Sequence, residues 1–539
     1  MTPNKRWTLF AVVLGSSTVF LESSIVAAAL PKIGEALSST FLGTLEAQSY
    51  VYYGYLLALS ALLILAGALN DYHGRRRMFL IGLLGFGVTS LLCGVATNME
   101  FLIAARILQG AAGAILVPGS LSIITATFEA EDQARAFGVW AGASAATTIL
   151  GPVIGGALVA YVSWRAAFFI NIPMLTLAAW LTVRYMAESR DEDASGSFDW
   201  LGAVVVALAI GGLTFGAIRG QSQGWDGIAP WASLAVGTLA SVAFPLLMAR
   251  SRHPLVPLDL FRSRNFSVTN VSTLLIYGAI YVLIQFLALF TIGVLGYNEV
   301  GFGISTIPST LFLAIFSARF GALSDRFGPR LFMVVGPLLM AAGVLWLVRI
   351  PSDSAAWVVR LGDVDSWIPP SSYVSDVFPA MVLFGLGLMV MVAPLTTALM
   401  RSVPVRHAGI ASAFNNAVSR VGPQLAGALI VVAISATFYA TLQDLVPQVD
   451  VSSRRVQEQV GPLNPPTSDA PERLAEAARD ASTSAFHVAM LVAASMCFGG
   501  AVVNALGIRN EPTSRQTGGK PITPCAQSPG VEAPAEAAT

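Results

Sequence analysis

The chain has 539 residues, 55% of them hydrophobic and 12% charged, with a formal net charge of zero. A soluble domain carries about 25% charged residues, so this composition excludes an ordinary soluble protein, and the neutral balance offers no surplus for nucleic acid. Three cysteines, two in apolar runs (Cys93, Cys497) and one near the end (Cys525), exclude a disulfide framework and a zinc site. The missing charge falls in apolar runs of about 20 residues, the length that crosses a hydrocarbon core of about 30 Å as a helix. A helix satisfies its backbone polar groups within one segment, so the expected fold class is an all-α polytopic membrane protein.

At the start of the chain Lys5 and Arg6 precede an apolar stretch ending near Ala29, which superficially resembles a signal peptide. Glu22 breaks the run and many further spans follow, so an uncleaved first span is expected. Candidate spans are 7–30, 47–69, 78–97, 100–125, 135–160, 165–183, 199–218, 229–249, 267–295, 301–323, 331–350, 377–400, 408–441 and 485–507. These are fourteen, which puts both termini on one side. With that side cytoplasmic, about twenty Lys and Arg fall inside and about nine outside, as the positive-inside rule requires. The outer loop 443–484 holds a proline-bearing part and then Glu472 to Ala485, which reads as a short amphipathic helix. The tail 508–539 is rich in Pro, Gly, Ala and Thr and is expected to be a disordered cytoplasmic tail. No glycine–lysine phosphate loop of the Walker type occurs, which argues against direct ATP drive.

A short charged loop occurs twice. Gly67-Ala-Leu-Asn-Asp71-Tyr-His-Gly74-Arg75-Arg76-Arg77 lies between spans 2 and 3, and Gly321-Ala-Leu-Ser-Asp325-Arg326-Phe-Gly328-Pro329-Arg330 between spans 10 and 11. The repeat continues, with Gly110 and Pro118 in span 4 echoed by Gly385 and Pro394 in span 12, and Gly138 by Gly409. The expected organisation is a six-helix bundle over 1–190, two inserted helices and a linker over 191–264, and a second six-helix bundle over 265–507. Parallel repeats of this kind place substrate between the halves near the midplane.

Five motifs then carry a family resemblance over nearly the whole chain. They are the first loop, Arg106-x-x-Gln109-Gly110 in span 4, and Gly142 with Gly151-Pro152-x-x-Gly155-Gly156 in span 5. The others are Trp164-Arg165-x-x-Phe168-x-Ile170-Asn171-x-Pro173, and Leu21-Glu22-Ser-Ser-Ile25-Val26-x-x-Ala29-Leu30-Pro31 in span 1. Together they resemble the major facilitator superfamily and, within it, the fourteen-span drug:proton antiporters of the multidrug efflux type. The resemblance implies a major facilitator fold, no cofactor beyond the proton gradient, and a monomer in the bacterial cytoplasmic membrane. Two departures stand out: Glu22 replaces the usual Asp of span 1, and Tyr50 stands where relatives often carry Trp.

The residues themselves indicate where chemistry resides. Glu22 and Arg106 both sit roughly 9–14 Å below the outer surface at 1.5 Å per residue. A carboxylate in a span must be protonated, paired or facing water, so Glu22 is the expected proton carrier and Arg106 its modulator; the alternative is a static polar contact. Gly67, Asp71, Gly74, Arg75 and Arg76, with the weaker copy Gly321, Asp325, Gly328 and Arg330, are expected to form a cytoplasmic gate. Their plainer role is fixing topology. Gly142, Gly151, Gly155 and Gly156 allow close helix packing, and Pro152 can kink span 5. Tyr52, Tyr55, Tyr277, Tyr281 and Gln285 are candidates for an aromatic wall for a flat or cationic ligand. Asn415, Asn416 and Arg420 lie in span 13, with Arg420 near mid-membrane, where it contacts an anionic substrate or lines the cavity. The expected activity is proton-coupled export of amphipathic small molecules. Export of one specific metabolite, lipid or peptide, or a receptor or assembly role on the same fold, are the alternatives.

Overall fold

Long apolar stretches free of interior breakers become helices, and turn chemistry at their ends decides where they stop. The computed structural model describes residues 3–38, 44–190, 199–223, 227–251, 254–360, 362–404 and 407–510, apart from scattered positions between 452 and 469. The first half runs α1 (Pro3–Ala36), α2 (Thr44–His73), α3 (Arg75–Gly94), α4 (Met99–Thr127), α5 (Ala130–Tyr161), α6 (Ala166–Phe169) and α7 (Asn171–Tyr185). Then come α8 (Trp200–Gln223) and α9 (Ile228–Arg250). The second half is α10 (Arg264–Gly293), α11 (Glu299–Phe327), α12 (Pro329–Trp346), α13 (Phe378–Arg401), α14 (Ala408–Leu445) and α15 (Glu472–Gly507). Asn98, Ser263 and Asn298 cap α4, α10 and α11 by accepting from the third backbone N–H beyond them.

Among the described residues twelve helical segments are long and apolar enough to cross a membrane, α6 and α7 together supplying one. The helices α1 and α5, 34 and 32 residues long, pack against each other beside them. The chain is an all-helical, multi-pass membrane protein. The predicted break near residue 485 does not exist. A single 36-residue helix, α15, runs through it, because Glu472 to Phe498 contains neither Gly nor Pro and is rich in alanine. The predicted tail lies, from residue 511 on, outside the described residues.

The sequence repeat is also a packing repeat. A Cβ on Gly110 would sit 2.3 Å from the Tyr55 carbonyl oxygen, and one on Gly385 would sit 2.5 Å from that of Ser309. These glycines let α4 lie on α2 and α13 lie on α11. Tyr55 and Ser309 share the offset that relates Gly74 to Gly328, and both of those glycines adopt positive φ, 102° and 81°. A left-handed residue there reverses the chain between antiparallel helices, and glycine adopts it without Cβ strain.

The halves meet most tightly at the arginine-rich end. There a Cβ on Gly67 would lie 2.3 Å from that of Ala413 in α14, and one on Gly138 of α5 would lie 2.4 Å from Cα of Ala318 in α11. Leu399, Met400, Ile410 and Ala417 share an apolar cluster with Leu59, Leu63 and Phe137, so both halves contribute to one core at this end. The inserted helices pack face to face through Gly212 and Gly237, and α8 lies against both α2 and α14, on the seam. The outer face of α9 exposes Trp231, Leu239, Val242 and Leu246, as suits a helix bathed in lipid.

Gly110→Ala is expected to destabilise by about 1–3 kcal/mol, since the clash is with backbone and the helices must separate. Gly303→Ala, where a Cβ meets nothing within 4 Å, should be neutral or stabilising by up to about 1 kcal/mol. Thermal unfolding of the two variants in detergent compares them directly; equal shifts would refute the packing account.

Candidate functional site

Inside the first half, α1, α2, α3, α4 and α7 converge on a buried ion pair. Arg106 Nη1 donates to Glu22 Oε1 at 2.8 Å, and neither side chain has any solvent exposure. The same nitrogen donates to Gln109 Oε1 at 2.7 Å, and Arg106 Nε donates to the Val51 carbonyl at 3.1 Å. Gln109 Nε2 donates to Ser90 Oγ at 2.8 Å, and Asn171 Nδ2 donates to Glu22 Oε2 and to Ser90 Oγ. The Tyr55 ring lies under the guanidinium with its centroid 4.2 Å away, its own hydroxyl donating to the Val19 carbonyl. Among the described residues, two polar atoms of this network, Arg106 Nη2 and Asn171 Oδ1, are buried and find no hydrogen-bond partner. An ion pair in a dry interior repays its desolvation only with additional hydrogen bonds, and here Gln109, Asn171 and the Val51 carbonyl supply them.

The first charged loop forms a second cluster. Arg75 Nε and Nη2 both donate to Asp71 Oδ1, at 3.0 and 2.8 Å, and both side chains are buried. The other carboxylate oxygen accepts from the Ile410 backbone N–H at 3.1 Å, in the first turn of α14, so Asp71 caps a helix of the opposite half. A Cβ on Gly409 would lie 2.4 Å from that carboxylate. Glu188, beyond the end of α7, caps α3 by accepting from the N–H groups of Arg76 and Arg77 at 3.0 and 3.1 Å. Arg76 Nη2 returns to the Val183 carbonyl.

The second loop repeats the intra-half part. Asn510 takes the place of Glu188, accepting from the Arg330 N–H at 3.1 Å, and Arg330 Nη2 donates to the Ala505 carbonyl. Gly321 is buried and Asp325 lies near the end of α11.

The proposed cavity residues separate into two groups. Arg420 Nη1 donates to the Tyr281 hydroxyl at 3.2 Å, and its guanidinium lies 5.6 Å from the Phe20 ring centroid across the seam. Tyr277 and Tyr52 are within electrostatic reach of this group. Gln285 is exposed one turn further along α10. Tyr55 and Asn415 belong elsewhere. Tyr55 is fully buried beneath Arg106, and Asn415 is buried between α10 and α14, donating to Asn270 Oδ1 and Thr273 Oγ1. Asn416 donates to the Ser412 carbonyl on its own helix. The span 5 glycines pack where expected of small residues: Gly142 lies against Ala314 of α11, and Gly155 against Ile25 of α1. Gly151 is buried on the same helix, which also carries Pro152 and Gly156. Among the described residues no group of three or more His, Cys, Asp or Glu could hold a metal ion.

Residues 12–427 match the model of the Major Facilitator Superfamily. The chain belongs to the Major Facilitator Superfamily. It is 31% identical over 519 residues to the tetracenomycin C resistance and export protein of Streptomyces glaucescens, covering 94% of this chain and 92% of that one. It is 31% identical to the multidrug resistance protein Stp of Mycobacterium tuberculosis (82% of this chain, 78% of that one). The puromycin resistance protein pur8 of Streptomyces alboniger is also 31% identical (79% and 81%). In fold it is similar to the human organic anion transporter MFSD10, with TM-score 0.56 and 12% identity over 92% of this chain and all of that one. The proton:xylose symporter XylE gives TM-score 0.56 at 13% identity, over 92% of this chain and 94% of that one.

As a member of this superfamily the chain is a transporter rather than an enzyme. Ser90, Glu188 and Asn510 were not singled out from sequence, and Asn171 only as part of a motif. A neutral polar residue inside an apolar span is the available signal for Ser90 and Asn171; nothing local marks the two capping residues, which act on helices more than 100 positions away.

Asp71→Ala should lower stability by about 3–5 kcal/mol, because it removes the carboxylate that pairs with the buried Arg75 and caps α14. Combining it with Arg75→Leu should recover most of that loss. Thermal melts of the three variants decide it; a double variant no better than Asp71→Ala would refute the burial argument.

Proposed function

We propose that the protein exports amphipathic small molecules across the bacterial cytoplasmic membrane in exchange for protons, by alternating access of one site between its two halves. The observation that carries this reading is the Glu22–Arg106 pair: a carboxylate with no solvent exposure, held by a cation and by Asn171, beside the seam. Protonating Glu22 removes one of two buried charges and releases Arg106 to Gln109 and the Val51 carbonyl. Such a change alters which helix arrangement is stable, and that is what coupling requires. The resistance and export roles named for the relatives support the direction of transport and the substrate class.

In this reading the arginine-rich end faces the cytoplasm, with both termini on that side. Asp71 holds that end shut through the first turn of α14, and the second loop carries the weaker copy of the gate. The glycine face of α5 against α1 and α11 keeps the closed seam tight. The energy source is the proton gradient, without a bound cofactor, and the working unit is a monomer.

Inverted membrane vesicles with an acidic lumen provide the test. Ethidium should accumulate in vesicles carrying the wild type, collapse when the gradient is dissipated, and fall to the level of empty vesicles with Glu22→Gln. Glu22→Asp should retain part of the activity. Gradient-dependent accumulation unchanged by Glu22→Gln would refute the proton role.

A further inference from the structure

The seam carries a second arginine whose situation is opposite to that of Arg106. Arg420 stands twelve residues from the start of α14, about 18 Å along the helix, beyond the reach of lipid headgroups at that end. Among the described residues its contacts are the Tyr281 hydroxyl, itself 40% exposed, and the face of Phe20; no carboxylate pairs with it. Arg106 has already neutralised Glu22 of the first half. A guanidinium at mid-membrane that faces accessible space and lacks a counter-ion calls for an anion. The surrounding side chains add a second requirement. Tyr281 and Phe20 offer a hydroxyl and a ring face at the guanidinium, with Tyr52 and Tyr277 nearby, which suits flat aromatic rings carrying oxygen substituents.

We propose that Arg420 is the recognition group for an anionic aromatic substrate, pairing with a carboxylate or enolate while Phe20 and the three tyrosines take the rings. This rests on the transport reading above and names its substrate class. The guanidinium fork meets a carboxylate with two parallel hydrogen bonds, and Tyr281 fixes one nitrogen so that the others remain directed at the ligand. A plainer role competes with it: Arg420 as a clip between α14 and α1, held by Phe20 alone.

The test uses purified protein in nanodiscs of zwitterionic lipid, without a gradient, and two matched probes, 1-pyrenebutyrate and 1-pyrenemethylammonium. Binding is read as energy transfer from tryptophan to pyrene. The wild type should bind the anion more tightly than the cation. Arg420→Gln should weaken the anion by about tenfold or more and leave the cation unchanged or tighter, with Arg420→Lys recovering part of the anion's affinity. An equal loss for both probes would show a clip and overturn the proposal. So would an anion affinity untouched by Arg420→Gln, or a wild type that prefers the cation or binds neither probe. Because binding is measured without a gradient, it fails independently of the vesicle experiment. Ethidium transport with no anion binding sinks only the substrate class; Arg420-dependent anion binding with no gradient-driven transport of either ethidium or 1-pyrenebutyrate sinks only the export reading.

Discussion

Two full charges with no solvent contact, Glu22 and Arg106, dictate much of the first half. Each ion loses several kcal/mol of hydration on burial, and attraction between them repays it only if the remaining donors and acceptors are met. Five helices therefore have to close around one point. Gly110 allows α4 to lie against the backbone of Tyr55, so that the Tyr55 ring reaches the guanidinium, and Gly155 brings α5 onto α1 beside Ile25. The pair depends on these glycines, since any Cβ at these points would hold the helices apart. The second half has no such demand. The offset that relates Gly110 to Gly385 places Met381 and Phe384 where Arg106 and Gln109 stand, and both are buried in an apolar core. The buried ion pair thus has no counterpart at the equivalent positions of the second half.

The same asymmetry governs the arginine-rich end. Both loops turn through a left-handed glycine and both are pinned by a side chain from beyond the last helix of their half, Glu188 in one and Asn510 in the other. A full carboxylate at a helix N-terminus is stabilised by the helix dipole as well as by hydrogen bonds, whereas an amide supplies the hydrogen bond alone. Asp71 adds the step across the seam. Because one of its oxygens serves Arg75 and the other serves α14, separating the halves would strip a partner from a buried carboxylate. Breaking this contact therefore carries an electrostatic penalty.

Much of this was legible in the chain because the membrane makes charge conspicuous. A single Glu in an apolar run, an Arg at the same depth, and a glycine-marked loop occurring twice are all signals of position along the helix axis. What the sequence left open was position around the axis. Tyr52 and Tyr55 are three residues apart, yet one packs against Tyr53 and the other is locked under Arg106. Asn415 and Arg420 share a helix, and only the arginine faces the opposite half. Their directions depend on which neighbours crowd each helix, and apolar composition is alike toward lipid and toward protein. Ser90 and Asn171 were obscure for a related reason, since neutral polar residues are common in spans and acquire meaning only from the charge they meet.

The layout also constrains how coupling can work. Tyr52 and Tyr55 are each within electrostatic reach of both Arg106 and Arg420, so a change of charge at Glu22 is felt toward the seam in a medium of low dielectric. With Glu22 ionised, Arg106 is neutralised and, of these two arginines, only Arg420 carries uncompensated positive charge. With Glu22 protonated, both arginines do. If the substrate is an anion, electrostatics alone therefore favours holding substrate and proton together, which is the opposite of exchange. Antiport of an anion on this scaffold must then rest on conformation. The arrangement that protonates Glu22 has to be one in which the tyrosine wall and Arg420 no longer face each other across an accessible seam. Phe20, two residues from Glu22 on α1 and in contact with the guanidinium of Arg420, is the element placed to enforce that exclusion, because a shift of α1 at the carboxylate moves it directly.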